Sequence, residues 1–96
     1  MLHEIFYIRS FDEPWWMLEG WQENIVSRKS FSNAGQAQKY FDREVQALSL
    51  RFTEQKRQGR SIAFWNPGDL AYCSNCEEDL QVYHGLLWLV NNKLVN

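Results

Sequence analysis

The spacing of apolar residues across residues 33–55 predicts one long amphipathic helix. Apolar side chains recur there at intervals of three and four, which places them on one face of a helix. They are Ala34, Ala37, Tyr40, Phe41, Val45, Leu48 and Phe52. Ser32 or Asn33 can cap the first turn, and Gln36 lies at the capping-box distance from Asn33. The opposite face is polar and is expected to meet solvent or a partner.

Short segments rich in β-branched and aromatic residues predict strands before and after this helix in the sequence. They are residues 2–8, 25–29, 61–65, 70–73, 86–90 and 93–95. Residues 66–69 read Asn-Pro-Gly-Asp, which is a strong turn sequence because proline fixes φ and glycine accepts a positive φ. We therefore expect the segments 61–65 and 70–73 to pair as a hairpin.

A second, short helix is predicted after the two cysteines. Glu77, Glu78 and Asp79 are suited to a first helical turn because negative charge is stabilised at a helix N-terminus. This helix would turn Leu80 and its neighbours inward and would end near Gly85.

These elements predict an α+β fold in a single domain spanning residues 1–96. The length lies near the commonest domain size, which leaves little room for a second core. The expected architecture is an antiparallel sheet of four or five short strands, packed by one long amphipathic helix and carrying one short helix.

The composition supports a folded chain in the cytoplasm. Hydrophobic residues make up 45% of the sequence and five residues are tryptophan, which is enough apolar surface to form a core and to exclude global disorder. No stretch approaches the roughly 20 apolar residues needed to cross a bilayer, so no membrane partner is expected. The N-terminus lacks the basic segment and apolar run of a secretion signal.

The charge is unevenly distributed, although its total is only −2. Residues 28–60 hold eight of the ten basic residues against three acidic ones, and both ends of the chain are acidic. A nucleic acid is therefore one candidate partner, with phosphates meeting the basic segment and tryptophans stacking on bases. The residues assigned to this role are Arg43, Arg51, Lys56, Arg57 and Arg60. The acidic pI of about 5.6 and the lack of a nucleic-acid-binding motif favour a solvated helix face instead.

The tryptophans near the N-terminus suggest a binding surface for a protein or peptide. Trp15, Trp16 and Trp21 lie in a short segment that also holds Met17 and Leu18. A domain of this size does not readily bury all of these side chains, and exposed aromatic residues are typical of interfaces. Burial in the core is the alternative for each of them.

Cys73 and Cys76 form a Cys-x-x-Cys pair, which in a chain without a secretion signal points to metal or redox chemistry before a structural disulfide. Zinc prefers four ligands in a tetrahedral array, and this pair supplies two. His84 is the third candidate ligand, since a short helix would bring it back toward the sulfurs, and His3 is the other histidine. No cofactor is required by the sequence, and zinc is the one cofactor that it suggests.

A dithiol oxidoreductase is the one enzyme class that the sequence brings into view. Such an enzyme needs a thiolate of lowered pKa, and the acidic residues 77–79 directly after Cys76 disfavour one. No other catalytic residues are predicted. The remaining alternative is that both cysteines are small structural residues.

Several sequence blocks together resemble one known family. They are Glu13-Pro14-Trp15-Trp16, Glu19-Gly20-Trp21, Ala63-Phe64-Trp65 and Tyr72-Cys73-x-x-Cys76-x-x-Asp79-Leu80-Gln81-x-Tyr83-His84-Gly85. The chain looks like the domain-of-unknown-function family 1033, small proteins of Gram-positive bacteria without an established activity. The resemblance implies a complete, bacterial, cytoplasmic protein. From the residues, the expected function is a non-enzymatic binding module, with a zinc-stabilised module and a nucleic-acid-binding protein as alternatives.

Overall fold

In the computed structural model, which describes residues 1–94, an antiparallel six-stranded sheet carries one helix on one face. The elements are β1 (His3–Ser10), β2 (Ile25–Phe31), α1 (Ala34–Arg51), β3 (Glu54–Gln58), β4 (Ser61–Trp65), β5 (Leu70–Cys73), β6 (Glu78–Gln81), β7 (Tyr83–Val90) and β8 (Lys93–Leu94). The main sheet has the order β2-β1-β7-β4-β3, and β8 pairs with β7 beyond this path. Strands β5 and β6 form a separate two-stranded sheet.

The long helix is confirmed, and so is the capping role of Asn33. The Asn33 side chain accepts a hydrogen bond from the Gln36 backbone N–H at 3.0 Å, which satisfies one of the free donors of the first turn. Ala37, Phe41 and Leu48 are buried against the sheet. The helix ends at Arg51, earlier than expected, because the chain becomes extended at Phe52 and continues into β3.

The central strands β1 and β7 bury side chains on both faces of the sheet. Ile5, Leu86 and Trp88 point toward α1, whereas Phe6 and Leu87 belong to a second apolar cluster on the opposite face. Strands that are buried on both faces read as continuous apolar runs rather than as alternating ones. This explains the uninterrupted apolar run in the sequence of β7.

Two strands have the expected bounds but different partners. Ser61–Trp65 and Leu70–Cys73 are strands, yet β4 pairs with β3 and β7, while β5 pairs with β6. The predicted hairpin between them is therefore wrong. The Asn66 side chain accepts a hydrogen bond from the Thr53 backbone N–H at 2.8 Å, and this holds the turn after β4 against the end of α1.

The predicted short helix after the cysteines is also wrong. Glu77 adopts a left-handed conformation with φ of 55°, and its N–H donates to the Cys73 carbonyl at 2.8 Å. The chain therefore reverses and returns along β5 as strand β6. Residues 1–94 form eight strands, six of them in the main sheet, which is more than the four or five strands predicted from sequence.

The face of the sheet opposite α1 is covered by the segment between β1 and β2. This segment contains two 3₁₀ turns, Pro14–Trp16 and Trp21–Asn24. A Cβ at Gly85 would lie 2.6 Å from Pro14 Cγ, so the absence of a side chain in β7 is what lets Pro14 approach the sheet. The two layers that cover the sheet are thus a helix and an irregular aromatic segment.

Strands β7 and β8 are joined by a tight turn at Asn91 and Asn92, both of which have positive φ. Such a turn suits the twist of a two-residue hairpin. The last predicted strand, residues 93–95, is confirmed for Lys93–Leu94, and Val95 lies outside the described residues. Within residues 1–94, no helix has both the length and the apolar character that crossing a membrane requires.

Candidate functional site

A small cavity of about 160 Å³ opens where the aromatic segment leaves the sheet. Its walls are mainly apolar and are formed by Ile8, Pro14, Trp16, Met17, Leu18 and Trp21. Three carboxylates, Asp12, Glu13 and Glu19, also line it, and no lysine or arginine does among the residues described. An apolar cavity of about 150 Å³ accepts a group of the size of benzene, so this one has room for a single large side chain.

Trp16 stands at the mouth of this cavity with a fixed orientation. Its side chain is 59% exposed, and its indole Nε1–H donates to Glu13 Oε2 at 2.6 Å. Met17 follows with φ of 45°, a left-handed conformation that turns the chain sharply after the indole. The ring is thus held by a charge-assisted hydrogen bond while a large part of it remains open to solvent.

A second, wider cavity of about 420 Å³ lies on the other side of Met17 and Trp21, which line both cavities. Its floor includes Phe6 of β1, and Trp21 packs edge-to-face on this ring at 5.6 Å. At its wall, Glu4 Oε2 lies 3.7 Å from Arg28 Nη1. We call the two cavities together the tryptophan groove.

The structure separates the three tryptophans that the sequence grouped as partner-binding residues. Trp16 and Trp21 line the tryptophan groove. Trp15 is only 7% exposed and belongs to the core beside Pro14. A partner at the surface can therefore meet Trp16 and Trp21 but not Trp15.

The cysteine pair lies at the tip of the hairpin formed by β5 and β6, which we call the cysteine hairpin. Cys73 is half-buried, Cys76 is exposed, and their sulfurs are 2.6 Å apart. The Cys76 backbone N–H points at Cys73 Sγ, with the nitrogen 3.3 Å from the sulfur. Both sulfurs therefore converge on one side of the turn.

The electrostatics of the cysteine hairpin do not favour a reactive thiolate. The hydrogen bond with Cys73 raises the pKa of the Cys76 thiol, and the negative charges of Glu78 and Asp12 act in the same direction. A raised pKa keeps this thiol protonated at neutral pH, whereas a dithiol oxidoreductase needs a thiolate as its nucleophile. The raised pKa of Cys76 has the direction that the acidic residues 77–79 led us to expect from the sequence.

The two histidines make contacts elsewhere. His84 Nδ1 lies 2.6 Å from the Tyr7 hydroxyl, and its ring stacks on Phe52 with centroids 4.5 Å apart. His3 Nδ1 accepts a hydrogen bond from the Trp88 indole at 3.2 Å. Over residues 1–94, no three side chains of His, Cys, Asp or Glu come together in a group suited to a metal ion.

The predicted zinc site of Cys73, Cys76 and His84 is therefore not assembled within the described part of the chain. The reason is the missing short helix. His84 lies in β7, opposite Phe64 of β4, and its side chain is on the helix face of the sheet. The cysteine hairpin precedes β7 in the chain and forms a separate two-stranded sheet, so its sulfurs do not share the surroundings of His84.

The stability of the protein is expected to fall as the pH drops below the usual His84 range. Burial lowers the pKa of His84 from its usual value of 6.5, the charges of Arg9 and Arg51 lower it further, and Asp69 opposes them. The unfolded chain therefore binds more protons than the folded one between the lowered pKa and 6.5. The free energy of unfolding, measured by urea denaturation, should decrease from about pH 7.5 to about pH 5.

The matched variant for this measurement is His84→Gln, which removes the titrating ring and keeps a polar side chain next to the Tyr7 hydroxyl. Its decrease in stability over the same pH interval should be smaller than that of the wild type. An equal decrease in both proteins would assign the effect to other groups.

The four arginines assigned to nucleic-acid binding lie over aromatic rings. Their guanidinium carbons lie 6.0 Å or less from ring centroids, with the pairs Arg43–Tyr40, Arg51–Phe52, Arg57–Phe41 and Arg60–Trp88. Lys56 is exposed on the edge strand β3. Phe41 and Trp88 are on the helix face of the sheet, so Arg57 and Arg60 lie on the face opposite the tryptophan groove. Binding of nucleic acid through these residues stays a prediction from the sequence.

A family model described as "Protein of unknown function (DUF1033)" matches residues 2–96. The chain belongs to this family. No curated protein and no solved structure matches the sequence. The family description carries no activity.

Sequence reasoning missed two features of the groove in this DUF1033 protein. Asp12 and Glu19 were assigned no role from the sequence, and only the fold places them around one cavity. Met17 was read as part of an apolar cluster, whereas in the structure its backbone is left-handed and it lines both cavities. The one signal in the sequence was that the segment between the predicted strands 2–8 and 25–29 has neither helical nor strand periodicity, which is typical of an irregular segment.

Proposed function

We propose that this DUF1033 protein is a non-enzymatic binding module that holds a segment of a protein partner in the tryptophan groove. The observation that carries the proposal is the position of Trp16, largely exposed and hydrogen-bonded to Glu13 at the mouth of an apolar cavity. A large aromatic side chain that is held in place but left uncovered is the pattern expected of an interface residue.

The rigidity of Trp16 supports this role. An aromatic ring offers a large contact area and has few rotatable bonds, so it loses little conformational entropy when a partner binds. The hydrogen bond to Glu13 reduces that loss further, because the ring is already oriented in the free protein. Trp21, which lines the same groove, packs edge-to-face on Phe6 of β1 and is thereby held against the sheet.

The charge of the smaller cavity indicates the chemistry of the partner. Asp12, Glu13 and Glu19 line it without a neighbouring cation among its lining residues. Complementary charge favours encounter and fixes the register of a bound segment. We therefore propose a partner segment with one large apolar residue for the cavity and an adjacent lysine or arginine for the carboxylates.

A library of random heptapeptides displayed on phage tests this proposal with the reduced full-length protein. We expect enrichment of peptides that pair a large apolar residue with lysine or arginine. Their affinity for Trp16→Ala should be at least about tenfold weaker, since truncating an aromatic hot-spot residue costs about 2 kcal/mol or more and about 1.4 kcal/mol is a factor of ten. The affinities would be measured by isothermal titration with a synthetic copy of an enriched peptide.

Leu50→Ala is the matched control, since it also shortens a large exposed apolar side chain but lies on α1, on the opposite side of the sheet. Its affinity should equal that of the wild type. A selection without enriched peptides, or peptides that bind Trp16→Ala as tightly as the wild type, would show that the groove is not the binding site.

A further inference from the structure

We infer that Cys73 and Cys76 are one half of a zinc site that is completed when a second copy of the chain supplies the same two sulfurs. The inference rests on the cysteine hairpin alone and is independent of the function proposed for the tryptophan groove. Zn²⁺ prefers four ligands in a tetrahedral array, and the cysteine hairpin provides two sulfurs.

The turn between the two sulfurs has the backbone of a metal-binding knuckle. The N–H of Cys76 points at Cys73 Sγ from 3.3 Å, and the Cys73 carbonyl accepts the N–H of Glu77 at 2.8 Å. Glu77 has φ of 55°, the left-handed conformation that glycine usually supplies directly after the second cysteine of such turns. The glycine is absent from the sequence, but its conformation is present in the structure.

The chain cannot complete this site from its own described residues. It contains only two cysteines, and His84 and His3 are engaged with Tyr7 and Trp88. Across residues 1–94 no third His, Cys, Asp or Glu joins the pair in a metal-binding group. A tetrahedral zinc ion held here would need its remaining ligands from another molecule.

A second copy of the chain is the simplest source of those ligands. Two identical hairpins related by a two-fold axis would present four thiolates around one ion, and a two-fold dimer is the commonest assembly of identical chains. The position of the pair allows such an approach, because Cys76 is exposed at the tip of a hairpin that is separate from the main sheet. Each thiol would release its proton to solvent as its sulfur binds the ion.

The acidic residues of the hairpin make the dimer sensitive to salt. Glu77, Glu78 and Asp79 are exposed beside the sulfurs, and two copies would bring both sets together. Repulsion between exposed like charges is screened as the ionic strength rises. Dimerisation by zinc should therefore strengthen with added sodium chloride, in contrast to an assembly held by ion pairs.

The test adds ZnCl₂ to the metal-free protein, kept reduced with a phosphine, and follows its mass by analytical ultracentrifugation. We expect the 11.5 kDa chain to double in mass and to saturate at about 0.5 zinc ions per chain. Substitution of Co²⁺ for Zn²⁺ should give the absorption of a tetrahedral thiolate site, which reports the ligands directly.

Cys73→Ser and Cys76→Ser should each abolish both the doubling of mass and the thiolate absorption. Ser74→Ala, which changes the same turn and leaves both sulfurs in place, should behave as the wild type. Saturation at one zinc ion per monomer, the absence of binding, or zinc-induced dimers that survive both cysteine substitutions would overturn the inference.

Discussion

Replacing Trp88 with alanine is expected to lower the free energy of unfolding by about 3–5 kcal/mol, as for other large aromatic side chains removed from a core. Trp88 is 1% exposed and lies in the central strand β7. Its ring is 5.2 Å from that of Phe41 of α1, and the Arg60 guanidinium lies 4.3 Å from its centroid. The substitution would open a cavity between helix and sheet and remove the hydrogen bond to His3.

Chemical denaturation followed by circular dichroism measures this loss. Trp88→Phe retains an aromatic ring and should lose less stability than Trp88→Ala, which keeps the comparison usable if the alanine variant does not fold. Trp16→Ala is the matched control, because Trp16 is 59% exposed and should change stability by less than about 1 kcal/mol. Similar losses for Trp88→Ala and Trp16→Ala would contradict the described core.

Gly85→Ala should destabilise the protein by about 1–3 kcal/mol through overpacking. The new Cβ would lie 2.6 Å from Pro14 Cγ and 2.7 Å from Pro14 Cβ, which is closer than such atoms approach in proteins. Gly85 is buried in β7, so the proline ring must move away from the sheet. The 3₁₀ turn Pro14–Trp16, which presents Trp16 to solvent, would move with it.

A double-mutant cycle with Pro14→Gly isolates this contact. The double variant should be more stable than the sum of the two single losses predicts, since the glycine at position 14 removes the atoms that the new Cβ would meet. Additive losses would mean that the cost of Gly85→Ala arises elsewhere. Denaturation midpoints of the four proteins provide the measurement.

The parts of the fold that depend on neighbouring residues could be predicted from the sequence. The helix α1 follows from the spacing of Ala37, Phe41 and Leu48, and its start follows from Asn33. The pairing of strands could not be predicted in the same way, because it depends on contacts between distant segments. The turn that begins at Asn66 illustrates this. Its sequence is typical of a hairpin, yet the strands on its two sides pair with other strands, and the Asn66 side chain accepts a hydrogen bond from the Thr53 backbone N–H.

The candidate sites were predictable only in part. Trp15 and Trp16 are chemically identical neighbours, and which of them is buried depends on the direction in which the 3₁₀ turn meets the sheet. The acidic residues after Cys76 suit a helix N-terminus, and their strand conformation depends on the left-handed backbone of Glu77. Glutamate has no marked preference for that conformation, so its identity gave no signal.

The pairing of β1 with β7 also constrains the order in which the protein folds. His3 lies opposite Val90 and Ser10 opposite Tyr83, so the centre of the sheet joins the first strand of the chain to one of its last. During synthesis β1 has no central partner until β7 leaves the ribosome, and long-range pairing of this kind is slow. The nascent chain therefore carries one hydrogen-bonding edge of β1 unpaired until β7 has been made, while β2 pairs with the other edge.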